Sequence, residues 1–524
     1  MTQTRFGKGK LVTALAVAAL SLSACGGGAS GTTNSGSAGG EVDPAAVIRI
    51  ASAGTSNNLD PQQQMTIGGW SHLTALFDRL MTVDSNDKIV PGLAKSWEFS
   101  SDGKYLELKL RDDVTFNDGT RFDAEAVAAT LKRGKTLAGS TSAAALAGVI
   151  DITAPDMYTA RIELAPGAGV ELPGVFTTPV GMMISPAVIA AGTDIRNDPG
   201  LAGSGAYVVT KYVPGESLIL KRSDRPYWDA DGGRLGGIDI TLVPDASTRL
   251  NAIQTGALDL TWVSSASEVV QANTLADRGA FAIDKVPFRS TLGVYLRPTG
   301  QLADQEIRQA VAQSINPDEI NALFSGNCTP HNQMFPKTSS AFDPDYKYPY
   351  AFDPEAAKAL VQKNGNTKIT LTFGAGSNTE KPTNVIQSAL STSGFDAELN
   401  PVPLNQLEPR YIAGEFDQMV ANSFTPKVDP AETVNFYLVN NFKFAADDPE
   451  ILGMIKQAAD PTMSENDRAE LYHTISAKTL EKALWVPICN QTNATLSSNK
   501  VVGADDVPWV NVGIYDLRHL AMTK

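Results

Sequence analysis

Residues 91–120, PGLAKSWEFSSDGKYLELKLRDDVTFNDGT, contain the pattern that decides the fold. From Tyr105 to Arg111, leucines alternate with charged residues, which is the period of a strand with one buried and one solvated face. Asp102-Gly103 before this segment and Asn117-Asp118-Gly119 after it are typical of tight turns. The stretch therefore predicts a half-buried strand between two turns.

Helices and strands alternate outward from this stretch. Asp123 is a predicted N-cap for a helix that continues through Arg133, and Asp304 and the pair Asp353-Pro354 open further helices. Further strands are predicted at residues 47–51, 258–263 and 484–488. Alternation of this kind predicts an α/β protein.

The length and composition exclude several classes of protein. At 524 residues the chain is long enough for several domains, and its 43% hydrophobic content can fill large cores. This content excludes general disorder and fibrous repeats. The formal net charge of −14 disfavours a nucleic-acid partner, because a uniformly acidic chain repels phosphate.

The first 25 residues resemble a bacterial lipoprotein signal. Three cations (Arg5, Lys8 and Lys10) precede a 12-residue apolar segment that is too short to span a bilayer. The segment ends in Leu22-Ser23-Ala24-Cys25, which resembles a lipobox. Residues 1–24 are therefore predicted to be a cleaved signal peptide, and Cys25 the lipidated first residue. The alternative is an ordinary secretory cleavage site that happens to precede a cysteine.

Residues 25–46 are predicted to form a flexible tether, because Gly26 to Gly40 contains almost only small residues that bury no apolar surface. The resemblance to a lipobox implies a diacylglyceryl group on Cys25. Its two acyl chains supply a membrane anchor that a single chain does not. The predicted location is the outer face of the cytoplasmic membrane.

The remaining cysteines, Cys328 and Cys489, have only one intramolecular pairing. In an oxidising exterior this favours a disulfide, with two buried free thiols as the alternative.

Local motifs for catalysis and for cofactors are missing from the sequence. No G-x-S-x-G elbow and no H-E-x-x-H zinc motif occur, and the four histidines are widely spaced. Gly134-Lys135-Thr136 fails as the end of a P-loop because Ala129 replaces the first glycine. We therefore predict that the chain is not an enzyme and needs no cofactor or metal.

Several short motifs follow one another in a fixed order along the chain. They are PGLAKSWE (91–98), LRDDVTFNDGT (110–120), GSGAY (203–207), YW (227–228), AIQTGALD (252–259), RQA (308–310), FDPEAAKAL (352–360) and DP (429–430). Together they resemble the bacterial extracellular solute-binding proteins of family 5, which are the oligopeptide, dipeptide and nickel receptors of ABC importers. The resemblance covers nearly the whole predicted mature chain.

The resemblance implies a fold like that of type II periplasmic binding proteins, with two lobes, a hinge and a ligand enclosed between the lobes. The first lobe would comprise residues 47–66, 201–287 and 492–524, with an extra subdomain at 67–200, and the second lobe residues 288–491. A disulfide between Cys328 and Cys489 would then tie the beginning of the second lobe to its end. Trp97 and Trp228 are predicted to be packed aromatic residues rather than pocket walls.

The position of the ligand site is inferred from the same resemblance. The candidate ligand-binding residues are Thr55, Ser56, Asn57, Lys381, Ser423, Phe424, Thr425 and Asp429. In the family's peptide receptors, an acidic residue three positions before the Asp-Pro or Glu-Pro pair holds the ligand's α-amino group, but here that position is Pro426. Burying an ammonium without a carboxylate costs several kcal/mol. Asp429 or Glu432 would have to substitute, and Lys381 is the nearest cation where dipeptide receptors carry an arginine.

Two interpretations of the ligand remain open. The first is a peptide held largely by backbone hydrogen bonds. The second is another polar solute, such as a metal chelate, glycoside or modified amine. The implied partners are ABC permease subunits and, through them, ATPases, and the chain is expected to be a monomer. A secreted hydrolase is the alternative from another class, and no local motif supports it.

Overall fold

The computed structural model describes residues 40–52, 56–64, 67–263, 266–365, 367–505, 509–510 and 514–524. The predicted signal peptide, the lipidation site Cys25 and the candidate ligand residue Thr55 lie outside the described residues, as does most of the predicted tether. Among the described residues, no helix has the length and apolar character needed to cross a bilayer.

The described strands, β1 to β21, range from two to sixteen residues. In chain order they are Val47–Ser52, Met81–Val83, Ile89–Pro91, Ala94–Phe99, Tyr105–Leu110, Val149–Asp156, Thr159–Leu164, Tyr207–Val213, Ser217–Arg222, Gly237–Leu242, Leu260–Val263, Phe281–Leu296, Cys328–Pro330, Lys368–Ala375, Asp396–Pro403, Gln418–Phe424, Trp485–Ser498, Val501–Val502, Trp509–Val510, Ile514–Tyr515 and Ala521–Met522.

The described α-helices, α1 to α14, are mostly short. In chain order they are Ile67–Leu73, Ala124–Thr136, Leu172–Val175, Pro186–Ala190, Ala246–Gln254, Ala266–Ala276, Gln305–Ser314, Pro317–Leu323, Pro354–Lys363, Glu380–Thr392, Leu404–Ile412, Pro430–Val434, Pro449–Ala458 and Glu465–Glu481. Single 3₁₀ turns occur at Pro179–Gly181 and Gly300–Ala303, and a π-helical turn follows α12 at Asn435–Asn440.

The elements predicted around the opening stretch are confirmed. Strand β5 buries Leu106, Leu108 and Leu110 on one face. Asp123 caps α2 as predicted, because its side chain accepts a hydrogen bond from the N–H of Ala126. The predicted strand at 484–488 is only the beginning of β17, which continues to Ser498 because its polar half pairs with β12.

A nine-stranded sheet runs through most of the described chain, in the order β16-β12-β17-β11-β1-β10-β9-β8, with β13 added on β17. Strand β1 is parallel to β10 and β11, and the other neighbours are antiparallel. Strands β12 and β17 pair along most of their length and pass through the predicted lobe boundaries at 287/288 and 491/492. The register shifts between Pro287 and Thr291, close to the first of those boundaries.

Several buried clusters lie on the two sides of these boundaries, and one of them includes Val170 from the predicted extra subdomain together with residues of the predicted second lobe. Ile48, Tyr207 and Leu517 belong to a cluster built from segments predicted as the first lobe. On β12, Leu292 and Val294 face one cluster, and Tyr295 faces another. Since successive side chains of a strand point to opposite faces, both faces of the sheet are covered here. The segment predicted as the extra subdomain, residues 67–200, contains a four-stranded sheet, β4-β5-β7-β6, covered by α2.

A buried ion network joins the extra subdomain to the C-terminal segment. Arg79 donates to Asp516 at 2.6 Å, and Arg518 donates to both Asp516 and Asp78. The carboxylate of Asp78 also accepts hydrogen bonds from Ser204, Tyr227 and Trp228. Ser204, Tyr227 and Trp228 belong to the short motifs described above, and these hydrogen bonds give them a structural role.

Cys328 on β13 and Cys489 on β17 form a disulfide, which confirms the predicted pairing. Both cysteines are fully buried. The bond lies at the edge where β13 is added to the large sheet.

Candidate functional site: a cavity between the extra subdomain and the second lobe

A cavity of about 960 Å³ lies between residues predicted as the extra subdomain and residues predicted as the second lobe. One wall comes from residues 86–89, residues 97–99, Val170 and Pro173. The other comes from Pro336, residues 338–340, residues 426–430, Pro461, Met463, Glu465, Arg468, Ala469 and Tyr472. Trp97 packs against the core of the predicted extra subdomain, as expected from the sequence, and it also lines the cavity. Trp228 packs on the same core, and its indole N–H donates to Asp78.

The two walls meet at three points around the cavity. The Thr338 hydroxyl donates to the Asp87 carboxylate at 2.6 Å. A Cβ atom at Gly103 would lie 2.9 Å from Cγ of Pro461. A Cβ atom at Gly174 would lie 2.6 Å from Cβ of Asp429, so only glycine permits this close approach of α3 to α12. The cavity is therefore bounded by direct contacts between the two sides.

Asp429 is the candidate residue that the structure places on the cavity wall. It caps α12 by accepting a hydrogen bond from the N–H of Ala431 at 2.8 Å. Burial raises its pKa to about 7, and the negative charges of Glu171 and Glu432 add to this effect. The Ala431 N–H and the more distant Arg468 act in the opposite direction. The carboxyl group is thus poised between its two protonation states near neutral pH.

Two further carboxyl groups lie near Asp429. Burial raises the pKa of Glu432, with Glu171 adding to the shift and Lys427 opposing it. Burial also raises the pKa of Glu171, although its own N–H and that of Gly169 partly compensate. Oε2 of Glu432 is buried and has no hydrogen-bond partner among the described atoms.

Tyr472 completes this part of the wall from α14. Its side chain is 2% exposed, and its hydroxyl has no hydrogen-bond partner in the described structure. Burial raises its pKa well above the ordinary value, and the charges of Asp429 and Glu171 raise it further. A buried hydroxyl without a partner is a costly arrangement.

The described candidate residues after β1, Ser56 and Asn57, lie outside the lining of this cavity. Ser56 is buried, and its hydroxyl is hydrogen-bonded to Nδ1 of His72 at 3.1 Å. Its carbonyl accepts a hydrogen bond from the Tyr212 hydroxyl at 3.0 Å, whereas Asn57 is exposed. Neither residue is part of the lining of the 960 Å³ cavity, and their role in ligand binding stays a prediction.

The candidate residues at the end of β16 form part of the second-lobe core. Phe424 is fully buried and stacks on Tyr437 and Trp485, with ring centroids 4.3 and 4.0 Å away. The N–H of Thr425 donates to the Tyr437 hydroxyl at 2.8 Å, and its own hydroxyl is hydrogen-bonded to Ser290. The Ser423 side chain lies outside the described ones.

Lys381 is exposed on α10 and does not line the 960 Å³ cavity. Its predicted role as a cation for the ligand carboxylate stays a prediction.

Sequence reasoning missed Glu171 and Tyr472. Glu171 precedes the helix-opening pair Leu172-Pro173, so the sequence signals a helix start at that position. Nothing local signals that this helix meets Asp429, because that contact is made only when the extra subdomain meets the second lobe. Tyr472 lies in a regular helical pattern that predicts only a core position.

Four residues with carboxylate side chains line the cavity, and its size is typical of small-molecule sites. They are Asp87, Glu98, Asp429 and Glu465. Among the described residues, no group of histidine, cysteine, aspartate or glutamate is arranged to hold a metal ion.

Comparison with solved structures identifies the fold. The chain superposes on the ABC transporter substrate-binding protein CtaP from Listeria monocytogenes with a TM-score of 0.81 and 19% identity, covering 92% of this chain and 100% of that one. It also superposes on the periplasmic binding protein DppA from Helicobacter pylori, in complex with peptide STSA, with a TM-score of 0.74 and 20% identity, covering 92% and 98%. The predicted fold class, that of type II periplasmic binding proteins, is confirmed.

Sequence comparison identifies the family. Residues 88–444 match the sequence model described as bacterial extracellular solute-binding proteins, family 5 Middle. The probable D,D-dipeptide-binding periplasmic protein DdpA of Escherichia coli K12 is 24% identical over 481 residues, 88% of this chain and 91% of that protein. The nickel-binding periplasmic protein of the same strain is 24% identical over 451 residues, 79% and 83% of the two chains. This chain belongs to family 5 of the bacterial extracellular solute-binding proteins.

Proposed function

We propose that this protein is the extracytoplasmic substrate-binding lipoprotein of an ABC importer, which captures a peptide and delivers it chemically unchanged to the permease. The cavity of about 960 Å³ carries the proposal, because its walls come from opposite sides of the fold. A cavity of this size accepts a short peptide and buries most of its surface.

The relatives support a peptide as the solute. DdpA is named as a probable D,D-dipeptide-binding protein, and the Helicobacter pylori structure contains a peptide. The alternative is a non-peptide polar solute. It is favoured by Pro426, which cannot pair with an α-amino group, and by a relative from Escherichia coli that is named as nickel-binding.

Native mass spectrometry of protein purified without refolding tests the identity of the solute. A co-purified species with a peptide mass and fragmentation pattern supports peptide capture. A metal chelate or sugar derivative at stoichiometric occupancy would contradict it. Hydrolysis of the captured peptide by the purified protein would contradict a purely binding role.

Capture is proposed to proceed by closure of the lobes about β12 and β17, the two long strands that pass through the predicted boundaries. Small-angle scattering should show a smaller radius of gyration with saturating ligand. An unchanged radius would contradict closure.

Anchoring through Cys25 places this receptor beside its permease, and the acidic chain works as a monomer. The substitution Cys25→Ser should move the protein from the membrane fraction to the soluble fraction and abolish incorporation of labelled fatty acid. Retention in the membrane fraction would contradict the lipid anchor.

A further inference from the structure

Strand β4 is an edge strand of the four-stranded sheet β4-β5-β7-β6, and its last three residues line the 960 Å³ cavity. These residues are Trp97, Glu98 and Phe99. Successive side chains of a strand point to opposite faces of the sheet, and those of Trp97 and Phe99 pack against the core of the predicted extra subdomain. Because the cavity touches all three residues, it runs along the edge of the strand.

The hydrogen bonds between β4 and β5 determine which main-chain groups of β4 face outward. The N–H of Ser100 donates to the Tyr105 carbonyl at 2.9 Å, so these two residues form a hydrogen-bonded pair. Such pairs alternate along an antiparallel ladder, and Glu98 therefore bonds to β5 in the same way. The N–H and C=O groups of Trp97 and Phe99 consequently point away from β5.

The outward groups of Trp97 and Phe99 make no hydrogen bond to another residue in the described part of the chain. The beginning of the strand differs, because the N–H of Ala94 donates to the Leu80 carbonyl at 2.8 Å. A register shift between Ala94 and Ser96 follows this covered section. The free edge is thus short, with two donors and two acceptors that repeat at about 6.8 Å.

The opposite wall of the cavity leaves room beside this edge. Two turns of the predicted extra subdomain contact that wall, at Gly103 against Pro461 and at Asp87, which accepts a hydrogen bond from Thr338. Between the walls the cavity stays open, although edge strands are normally paired or covered. Prolines, which have no main-chain N–H, line the opposite wall at positions 336, 426, 430 and 461.

We propose that the free edge of β4 binds the extended main chain of the captured peptide, which adds to the sheet as a fifth strand at Trp97 and Phe99. This inference rests on the proposed function and specifies that amide groups of the peptide are recognised in this cavity. An extended main chain presents donors and acceptors at the same spacing as β4. A metal chelate or a glycoside lacks this repeat. The edge is separate from the candidate residues after β1 and at the end of β16.

Isothermal titration calorimetry with N-acetylated Ala-Arg-Ala amide tests the strand addition. This tripeptide has no charged terminus, and the second ligand is the same tripeptide with N-methyl groups on the amide nitrogens of its three residues. Phe99→Ala keeps the outward main-chain N–H, whereas Phe99→Pro removes it at a position where an edge strand accepts proline. Glu98→Ala is the control for charge, since it removes an exposed carboxylate from the same cavity.

Phe99→Pro should bind the unmethylated tripeptide at least about tenfold more weakly than Phe99→Ala does. Both variants lack the aromatic ring, but only proline lacks the donor and blocks the approach of another strand. N-methylation should weaken binding to Phe99→Ala by a similar factor and have little further effect in Phe99→Pro. Glu98→Ala should leave the effect of N-methylation as it is in the wild-type protein.

Hydrogen exchange followed by mass spectrometry gives a second measurement, which uses the wild-type protein and does not depend on the folding of a variant. Saturating tripeptide should slow exchange in fragments that cover residues 94–100, because the outward N–H groups of Trp97 and Phe99 become bonded. Strand β6, at the other edge of the same sheet, should exchange at an unchanged rate.

Unchanged exchange in residues 94–100 would overturn the strand addition and leave peptide capture intact. Equal affinity of Phe99→Pro and Phe99→Ala, or equal slowing of exchange in β4 and β6, would overturn it as well. Failure of the wild-type protein to bind either form of the tripeptide would overturn peptide capture itself, and the strand addition with it.

Discussion

Gly174 packs directly against Asp429, with room for no side-chain atom between the two residues. The contact joins α3, in the predicted extra subdomain, to the N-cap of α12, in the predicted second lobe. A single methyl group at position 174 would therefore disturb this contact.

Gly174→Ala is expected to weaken binding of N-acetylated Ala-Arg-Ala amide by about tenfold, because the new Cβ atom clashes with Asp429 only when the walls meet. The control is Gly453→Ala in α13, where a Cβ atom meets nothing within 4 Å. Alanine there should raise the free energy of unfolding by about 0.5–1 kcal/mol and leave affinity unchanged. Calorimetric titration measures the affinity, and thermal melts measure the stability of each variant. Unaltered affinity in Gly174→Ala would argue against closure at this contact.

Asp429 is expected to make folding less favourable as the pH rises. Its folded pKa of about 7 lies above its ordinary value of 3.8, so its contribution to stability is complete below about pH 4. That contribution is lost as the pH rises through 7. Asp429→Asn should therefore raise the melting temperature relative to wild type, increasingly so between pH 5 and pH 8.

Asp448 provides the matched control because it caps α13 as Asp429 caps α12. Its burial is outweighed by the Lys482 ammonium and by backbone N–H groups, so its pKa is lowered. Asp448→Asn should lower the melting temperature at pH 8. A constant difference between Asp429→Asn and wild type across this pH range would contradict the raised pKa.

His72 is expected to contribute to acid lability. Burial lowers its pKa to about 4, from an ordinary 6.5, so folding favours the neutral ring. Its stabilising contribution is complete above pH 6.5 and is lost as the pH falls through 4. His72→Gln should reduce the drop in melting temperature between pH 7 and pH 4.5. An equal drop in His72→Gln and in the wild-type protein would show that His72 does not govern this transition.

The Cys328–Cys489 disulfide is expected to stabilise the folded chain by about 5 kcal/mol in the chain-entropy estimate for a separation of 161 residues. A Cys328→Ser/Cys489→Ser variant should unfold at lower denaturant concentration, and reduced wild-type protein should match it. Thiol titration of denatured, unreduced protein should detect neither cysteine. Detection of both thiols would rule out the bond.

Removal of one charge from the buried ion network is expected to destabilise the folded protein strongly. Asp516→Asn leaves Arg79 without its carboxylate at 2.6 Å and should cost about 3–5 kcal/mol of unfolding free energy. Asp112→Asn at the exposed Lys95–Asp112 pair should cause no measurable change. Similar denaturation midpoints for the two variants would contradict the structural role of the network.

Local features of the fold were predictable because they depend on neighbours in sequence. The leucine alternation in β5 and the cap at Asp123 required no tertiary information. The extent of β17 was not predictable, since its polar half is stabilised by pairing with β12.

The candidate site was predictable only in part, because it also depends on contacts between segments that are distant in sequence. Asp429 was identified from the Asp-Pro motif of the family. Glu171 and Tyr472 acquire their significance from contacts between distant segments, and no local pattern distinguishes them from an ordinary helix start and an ordinary core residue.

The ion network of Asp78, Arg79, Asp516 and Arg518 also constrains the order of folding. Because Asp516 and Arg518 occupy the interior beside the extra subdomain, the amino-terminal half of the protein cannot complete its packing until synthesis has reached the carboxyl terminus. The predicted second lobe, residues 288–491, is contiguous in sequence, so its packing does not require the carboxyl-terminal segment. The nascent polypeptide should thus assemble from its middle outward, with its two ends joining last.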